Sequence, residues 1–425
     1  MKFGSALVAA VAAVAGVAAK DYGGVPGQPI QKSGKGAVFS GATNPQLDLQ
    51  NPSNINGQPA TDIGLVPNLK WSFSLSKTRM FHGGWIREQV ISDLPASHDI
   101  AGAQVHLTKG GIRQMHWHRV AEWGYVYAGS ILVFAVTEDG QYQIDKLTPG
   151  DIYYFPKGAA HSFQGIEDEN EVLVAFDEGD FDKIGYLFPP YYSNINLQLS
   201  NAFNYRTTFQ VAEWIAHTPQ DVLAKNFNIS TGGTFDKTKS NMLEIINSTT
   251  STHNVTGPNG ALMGNSSYTF HIRDAPEIQV PGGGGTIQIV DSKNFPISKT
   301  IACAIVRLKP GALRELHWHP TAEEWLYFHS GNARATVYVS GGLSRTFDFT
   351  AGDTGVFPDN AGHYIENVSE DEDLVYLELY KADRVADVSL SQWLALTPHD
   401  IAAAAINVPI DVIDKLKKDK QYIIQ

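Results

Sequence analysis

A single cysteine, Cys303, stands among the 425 residues, so no intramolecular disulfide can form. A secreted chain without disulfides needs a large core or tightly held metal instead. The residues around it, TIACAIVRL, have strand character, which makes Cys303 an inert core thiol. Cationic residues are also few: 32 Lys and Arg against 44 Asp and Glu give a net charge of −12. That balance argues against nucleic acid or an anionic membrane surface as a partner. Long apolar runs are missing beyond the N-terminus, so nothing else reads as a membrane span. The N-terminus itself, MKFGSALVAAVAAVAGVAAK, has Lys2 ahead of a small apolar run, and Val17, Ala18 and Ala19 suit signal peptidase. Residues 1–19 therefore read as a secretory signal peptide, and the mature protein as extracellular and free of the membrane.

What is present is turn-forming and aromatic: 39 Gly, 21 Pro and 11% aromatics. Residues 20–70 are polar and rich in Gly, Pro and Asn, and read as an arm or linker. Asn228, Asn247, Asn254, Asn265 and Asn367 each open a glycosylation sequon. Four of them crowd a Ser/Thr/Asn/Gly-rich stretch that reads as an exposed, glycosylated loop over 231–270 and its approach.

The chain contains itself twice. GGIRQMHWHRVAEWGYVYAGS (110–130) is echoed by GALRELHWHPTAEEWLYFHSG (311–331), PGDIYYFPKGAAHSF by AGDTGVFPDNAGHYI, and VAEWIAHTPQDVLAKNFNIS by LSQWLALTPHDIAAAAINVP. The offset is nearly constant and far longer than the ~20–50 residues of solenoid repeats, so this is a duplicated domain. The copies run over 71–230 and 271–425. Within each, short runs alternate apolar with polar residues between Gly and Pro turns, the pattern of an antiparallel sandwich or barrel. Each copy closes with a helical stretch, near 210–226 and 390–405.

His116 and His118 lie two apart in a strand, so both side chains leave one face. Glu122 follows, and His161 comes after a Gly/Pro turn between strands. His317, His319, Glu324 and His363 repeat the pattern. Three imidazoles and one carboxylate converging inside a barrel suit a divalent first-row ion, with manganese or iron favoured by the hard oxygen ligand. On an octahedral ion they leave two positions for water or substrate. A structural zinc site would instead close its shell with four ligands, often including Cys.

These residues resemble the cupin motifs. Gly110, His116, His118, Glu122 and Gly129, and again Gly311, His317, His319, Glu324 and Gly331, resemble the first; Gly150, Pro156, Gly158 and His161 resemble the second. The second copy has Gly352, Pro358 and His363, with Asn360 where glycine is usual. The likeness covers roughly 71–405. Among cupins the chain is similar to the bicupin oxalate decarboxylases of fungi and bacteria, of a secreted fungal type, through strings such as RELHWH, WIAHTP and VSLSQWLALTP. The resemblance implies an all-β fold with minor helices, built as two tandem jelly-roll (double-stranded β-helix) barrels. It also implies one manganese per barrel, with iron as the alternative metal, and cleavage of oxalate to formate and carbon dioxide in a reaction that needs dioxygen without consuming it overall. A homo-oligomer is implied as well. Arg113 and Arg314, each three residues before the first histidine of its copy, are the candidates to grip the oxalate carboxylate that the metal does not hold. Glu378 matches a glutamate placed near the second metal in the family.

One family feature is altered. The lid segment that carries a glutamic acid is longer here. Aligned from FDEGDF, the acid's position falls on Lys183; aligned from TTFQVAEW, it falls on Tyr205. Neither is a carboxylic acid. Oxalate oxidase chemistry, giving carbon dioxide and hydrogen peroxide with dioxygen as co-substrate, is therefore an alternative expectation. So are another small organic acid as substrate, admitted by the aromatic FPPYY insertion, and a non-catalytic storage or spore-coat cupin. Storage cupins tend to lose the metal histidines, and all six remain here.

Overall fold

The computed structural model describes residues 57–182, 208–230, 244–249 and 255–425. The signal segment, most of the arm, Asn254, Lys183 and Tyr205 lie outside these residues. Among the described residues no helix is long and apolar enough to cross a membrane.

The N-terminal part of the described chain runs through β1 (Lys70–Ser72), β2 (Arg79–Phe81), β3 (Gly84–Gln89), β4 (Ala101–Thr108), β5 (Gly111–His118), β6 (Glu122–Ala128), β7 (Ile131–Val136), β8 (Tyr142–Leu147), β9 (Ile152–Phe155), β10 (Ala160–Gly165), β11 (Glu169–Phe176), β12 (Thr208–Gln210) and β13 (Ile245–Asn247). The second copy follows with β14 (Thr269–Phe270), β15 (Glu277–Gln279), β16 (Gly285–Val290), β17 (Ala302–Leu308), β18 (Leu313–Trp318), β19 (Glu324–Ser330), β20 (Asn332–Val339), β21 (Leu343–Thr350), β22 (Asp353–Phe357), β23 (Gly362–Asn367), β24 (Leu374–Tyr380), β25 (Val388–Ser389) and β26 (Ile423–Ile424). Each copy is a jelly roll of two facing antiparallel sheets rather than one continuously hydrogen-bonded barrel. The first pairs β14-β9-β6-β11-β4-β3-β2 with β12-β5-β10-β7-β8; the second pairs β1-β22-β19-β24-β17-β16-β15 with β21-β20-β23-β18-β25.

The orders show an exchange. β1, ahead of the first copy, completes a sheet of the second, with Trp71 opposite Thr354. β14, ahead of the second copy, completes a sheet of the first, with Thr269 opposite Tyr153. Lys70 follows its strand inward and pairs with buried Asp353 at 2.9 Å. Part of the expected arm is thus built into the second copy: Val66 and Leu69 are buried in its core, and Asp62 accepts from Thr346 N and Oγ1. The expected loop over 231–270 is likewise partly structured, because β13 pairs with β5 and Leu262, Tyr268 and Phe270 are buried.

Alternating residues of the facing sheets fill each core, with Val105, Val133, Phe155 and Val174 in the first and Val306, Ala335, Phe357 and Ile365 in the second. A third cluster, including Phe73, Trp123, Cys303 and Trp325, joins the two copies. Burial there raises the thiol pKa of Cys303, which keeps it protonated and unreactive. The expected helices follow each copy, as Val211–Ala216 and Gln220–Phe227 and as Leu390–Leu396, His399–Ile406 and Ile410–Ile413. Of the sequon asparagines, Asn228, Asn247 and Asn265 are exposed. Asn367 is not: it is 1% exposed, and its amide donates to the carbonyls of Leu308 and Glu372 and accepts from Ser369 N. It pins a turn, and the folded chain gives a glycan no access to it.

Candidate metal centres and the cavity beside the first

The strands place the four ligand candidates of each copy together. β5 carries His116 and His118, β10 carries His161 opposite His116, and β6 of the facing sheet carries Glu122. In the second copy β18 carries His317, His319 follows directly after it, β23 carries His363 opposite His317, and β19 carries Glu324. In both groups the ligand atoms lie within 4.8 Å of one another and all four residues are buried. The HWHPTAEEW string offers two glutamates. Glu324 takes the inward place, opposite Phe357 as Glu122 is opposite Phe155, whereas Glu323 turns out to accept from the backbone N–H groups of His98 and Asp99. Asn360 is explained too. It has φ 60°, the left-handed conformation that Gly158 adopts at the same turn of the first copy, and asparagine is the non-glycine residue that enters that region most readily.

Five of the six imidazoles have Nδ1 against a backbone carbonyl: His116 on Gln114, His161 on Ala159 (2.8 Å), His317 on Glu315 (2.6 Å), His319 on Ala386 (2.9 Å) and His363 on Ala361 (2.9 Å). Nδ1 of His118 meets the Thr208 hydroxyl at 3.0 Å. A carbonyl only accepts, so Nδ1 carries the proton and Nε2 presents its lone pair, as metal-binding histidines require. Burial lowers the imidazole pKa values, His118 to about 4 and His319 to about 3, and His116 and His317 well below the usual range, with Arg113 and Arg314 adding to the last two. Burial pushes the ligand carboxylates the other way, but the surrounding imidazoles outweigh it. Glu122 is held well below the ordinary range and Glu324 at about 2. Imidazole nitrogens gathered around an ionised carboxylate, with Nε2 of His116 and Oε2 of Glu324 buried and without a hydrogen bond, form a donor set that fits a divalent cation.

A tyrosine hydroxyl donates to each ligand glutamate, from different strands in the two copies. Tyr153 on β9 reaches Glu122 at 2.9 Å; Tyr380 on β24 reaches Glu324 at 3.2 Å. Gly124 makes room for the first, since a Cβ there would lie 2.1 Å from the Tyr153 ring. No motif pointed to either tyrosine.

Arg113 and Arg314 are three residues before a histidine, a spacing that in a regular strand puts two side chains on opposite faces. Both copies break register between them. Arg113 to His116 spans three residues where Phe163 to His161 spans two, and β18 shifts likewise between Arg314 and His317. The bulge returns the arginine to the inner face, where both guanidinium groups are buried.

Their company then differs. Arg113 donates to the carbonyl of Glu244 at 3.3 Å and borders a cavity of about 250 Å³ that also touches His118, Glu122, Phe163, Val174 and Thr208. A single water needs only ~10–15 Å³ of such space, so a small dicarboxylate fits. Burial lowers the Arg113 pKa to about 10, which still leaves it cationic. Arg314 is taken up by protein groups: Glu378 at 3.3 Å, Asp387, and the carbonyl of Tyr422. Against burial, Glu378, Tyr376 and Tyr380 raise its pKa. Arg314, expected beside Arg113 as a substrate-gripping residue, has its donors turned to two buried carboxylates. Glu378 does lie beside the second ligand set. It accepts from Tyr380, whose hydroxyl also meets Glu324 and His319, and burial raises its pKa despite Arg314.

Two jelly rolls that each enclose three histidines and a glutamate define a bicupin. The cupin family pattern matches residues 76–199 and 270–409, and the chain belongs to that family, within its oxalate decarboxylase branch of enzymes. A probable oxalate decarboxylase of Arthroderma benhamiae is 74% identical over 425 residues, the whole of both chains. Oxalate decarboxylase OxdC of Bacillus subtilis is 40% identical over 401 residues, 94% of this chain and 97% of that one. A solved structure of the Bacillus subtilis enzyme at pH 4.6 superposes with a TM-score of 0.78 at 39% identity, covering 94% of this chain and 97% of its own.

Proposed function

We propose that the protein is a secreted, manganese-dependent oxalate decarboxylase that turns over its substrate at the first centre. The carrying observation is the cavity that joins Arg113 to His118 and Glu122. A bound manganese, with iron as the alternative, supplies a Lewis acid for one oxalate carboxylate and access to one-electron chemistry with dioxygen as co-catalyst. His116, His118, Glu122 and His161 would hold it in the first copy, and His317, His319, Glu324 and His363 in the second. The rest falls to the chain. Arg113 faces the cavity with fixed charge and can hold the other carboxylate. Phe163, Val174 and Phe176 give the cavity an apolar wall. Arg113 also steadies the negative charge that gathers as the carbon–carbon bond breaks. The electron pair of that bond stays with the carbon that becomes formate, that carbon gains one proton, and carbon dioxide leaves. Overall, oxalate dianion plus one proton gives formate and carbon dioxide.

The signal-like residues 1–19 and the exposed sequon asparagines support export, and the relatives' names support the substrate. The decisive experiment incubates manganese-loaded protein with oxalate in air and assays formate and hydrogen peroxide together. About one formate per oxalate, with little peroxide, is expected. A second reading, oxalate oxidation, is favoured by the absence of an acid at Lys183 and Tyr205, and stoichiometric peroxide without formate would establish it.

A further inference from the structure

Decarboxylation consumes one proton per turnover, and the two positions aligned with the family's lid acid cannot supply it from a carboxylic acid. The cavity over the first centre has a carboxylate on another wall. β13 runs antiparallel to β5 with Ile245 opposite Arg113, and Glu244, the residue before it, lines the cavity while remaining 4% exposed. Its backbone is fixed twice: the carbonyl accepts from Gln114 N at 3.0 Å and from Arg113 Nη1 at 3.3 Å. Its carboxylate pairs with Arg79 of β2, whose other arm pairs with Glu88 of β3. Arg79 and Glu88 line the same cavity.

The second copy provides an internal control. There β26 lies on β18 with Ile423 opposite Arg314, and the carbonyl of Tyr422 accepts from Arg314 Nη1 and Glu315 N. Tyr422 therefore occupies the position of Glu244. The acid on this strap belongs to the copy with the cavity, whereas in the other copy the carboxylates against the arginine are Glu378 and Asp387.

We propose that Glu244 is the general acid that protonates the carbon of the nascent formate at the first centre; this rests on reading that centre as the site of oxalate decarboxylation. Arg79 joins Glu244 to Glu88, and Arg113, Glu122 and Asp182 border the same cavity. A dianion arriving at Arg113 adds further negative charge to the cavity that Glu244 lines. Glu244 is the more buried, with its side chain 5% exposed against 30% for Glu88; burial and the arriving dianion favour the neutral acid, and the Arg79 pair opposes them. In the step itself the Glu244 O–H bond breaks and its proton forms the new C–H bond with the electron pair left by the carbon–carbon bond. Carbon dioxide departs neutral, and Glu244, now a carboxylate, regains a proton from water.

The test uses the full-length, manganese-loaded protein. In Glu244→Gln, which keeps the shape and a hydrogen bond to Arg79, kcat for formate falls ~100-fold or more. KM for oxalate stays within about threefold and metal content is unchanged. Glu244→Asp, which keeps an acid, retains clearly more formate production than Glu244→Gln at equal metal content. A Gln variant within about threefold of the wild-type kcat, or equal losses in the Gln and Asp variants, would overturn the proposal. Should the wild type itself make no formate from oxalate, the reading of the site fails, on a measurement independent of either variant.

Discussion

The two metal centres share strand register, ligand order and the tilt of their imidazole pairs, yet their arginines live in different surroundings. In the first copy Val174 stands where the second has Glu378, since both face the glycine or leucine two residues beyond the ligand glutamate. The valine leaves Arg113 beside open space. The glutamate, with Asp387 from the loop before β25, pairs with Arg314 and accepts hydrogen bonds from Tyr376 and Tyr380. One scaffold thus yields a centre whose arginine borders a cavity and another whose arginine is paired with protein carboxylates.

That contrast can be broken or sharpened in four ways. The largest effect is expected from ligand removal. His118→Ala takes metal content from about two ions per chain to about one and lowers oxalate turnover by more than the ~10–100-fold typical of outer-shell changes. His319→Ala loses the same amount of metal but keeps far more activity, as metal analysis beside a formate assay will show. Equal losses of activity would erase the distinction between the centres. Next come the arginines. Arg113→Lys raises KM for oxalate ~10–100-fold, the worth of a charged hydrogen bond, with little change in melting temperature. Arg314→Met leaves Glu378 buried without its cation, while Asp387 keeps its pair with Lys420, and costs about 3–5 kcal/mol of stability, seen by denaturant unfolding. Smaller are Tyr153→Phe and Tyr380→Phe, each of which weakens manganese binding about tenfold at its own centre only, measured by competition with a chelator.

The last is a gradual dependence on pH. Burial holds His118 at about 4 and His319 at about 3 in the fold, whereas the unfolded chain protonates each near 6.5. Between those values the unfolded state binds more protons, so stability of the metal-free protein falls as pH drops from about 6.5 towards 3. Glu324 acts in the same sense. The imidazoles hold it at about 2 against the pull of burial, and its contribution fades below the ordinary carboxylate pKa. A melting temperature constant from pH 7 to 4 would contradict this.

The eight ligands were legible because period-two spacing and a repeated Gly/Pro turn are local signals, and duplication doubled them. The arginines show where local reading stops. Their spacing from the histidines is identical, and only a bulge in each strand puts them inward. What separates Arg113 from Arg314 arrives from distant strands. Glu244 lay in a stretch that read as loop; the signal that could have found it is the short echo of Glu244-Ile-Ile-Asn247 in Tyr422-Ile-Ile-Gln425. Asn367 misled for the opposite reason, since a tripeptide says nothing of burial.

The exchange of β1 and β14 bears on how the chain is made. Trp71 and Thr354, joined side by side in one sheet, are 283 residues apart. At ~5–20 residues per second, the first strand emerges from the ribosome about 15–60 s before its neighbour exists. Through that interval its apolar flank, Val66 and Leu69 included, has no native cover, because the core that buries it belongs to the second copy. Severing the halves between the copies would leave each without one of its edges.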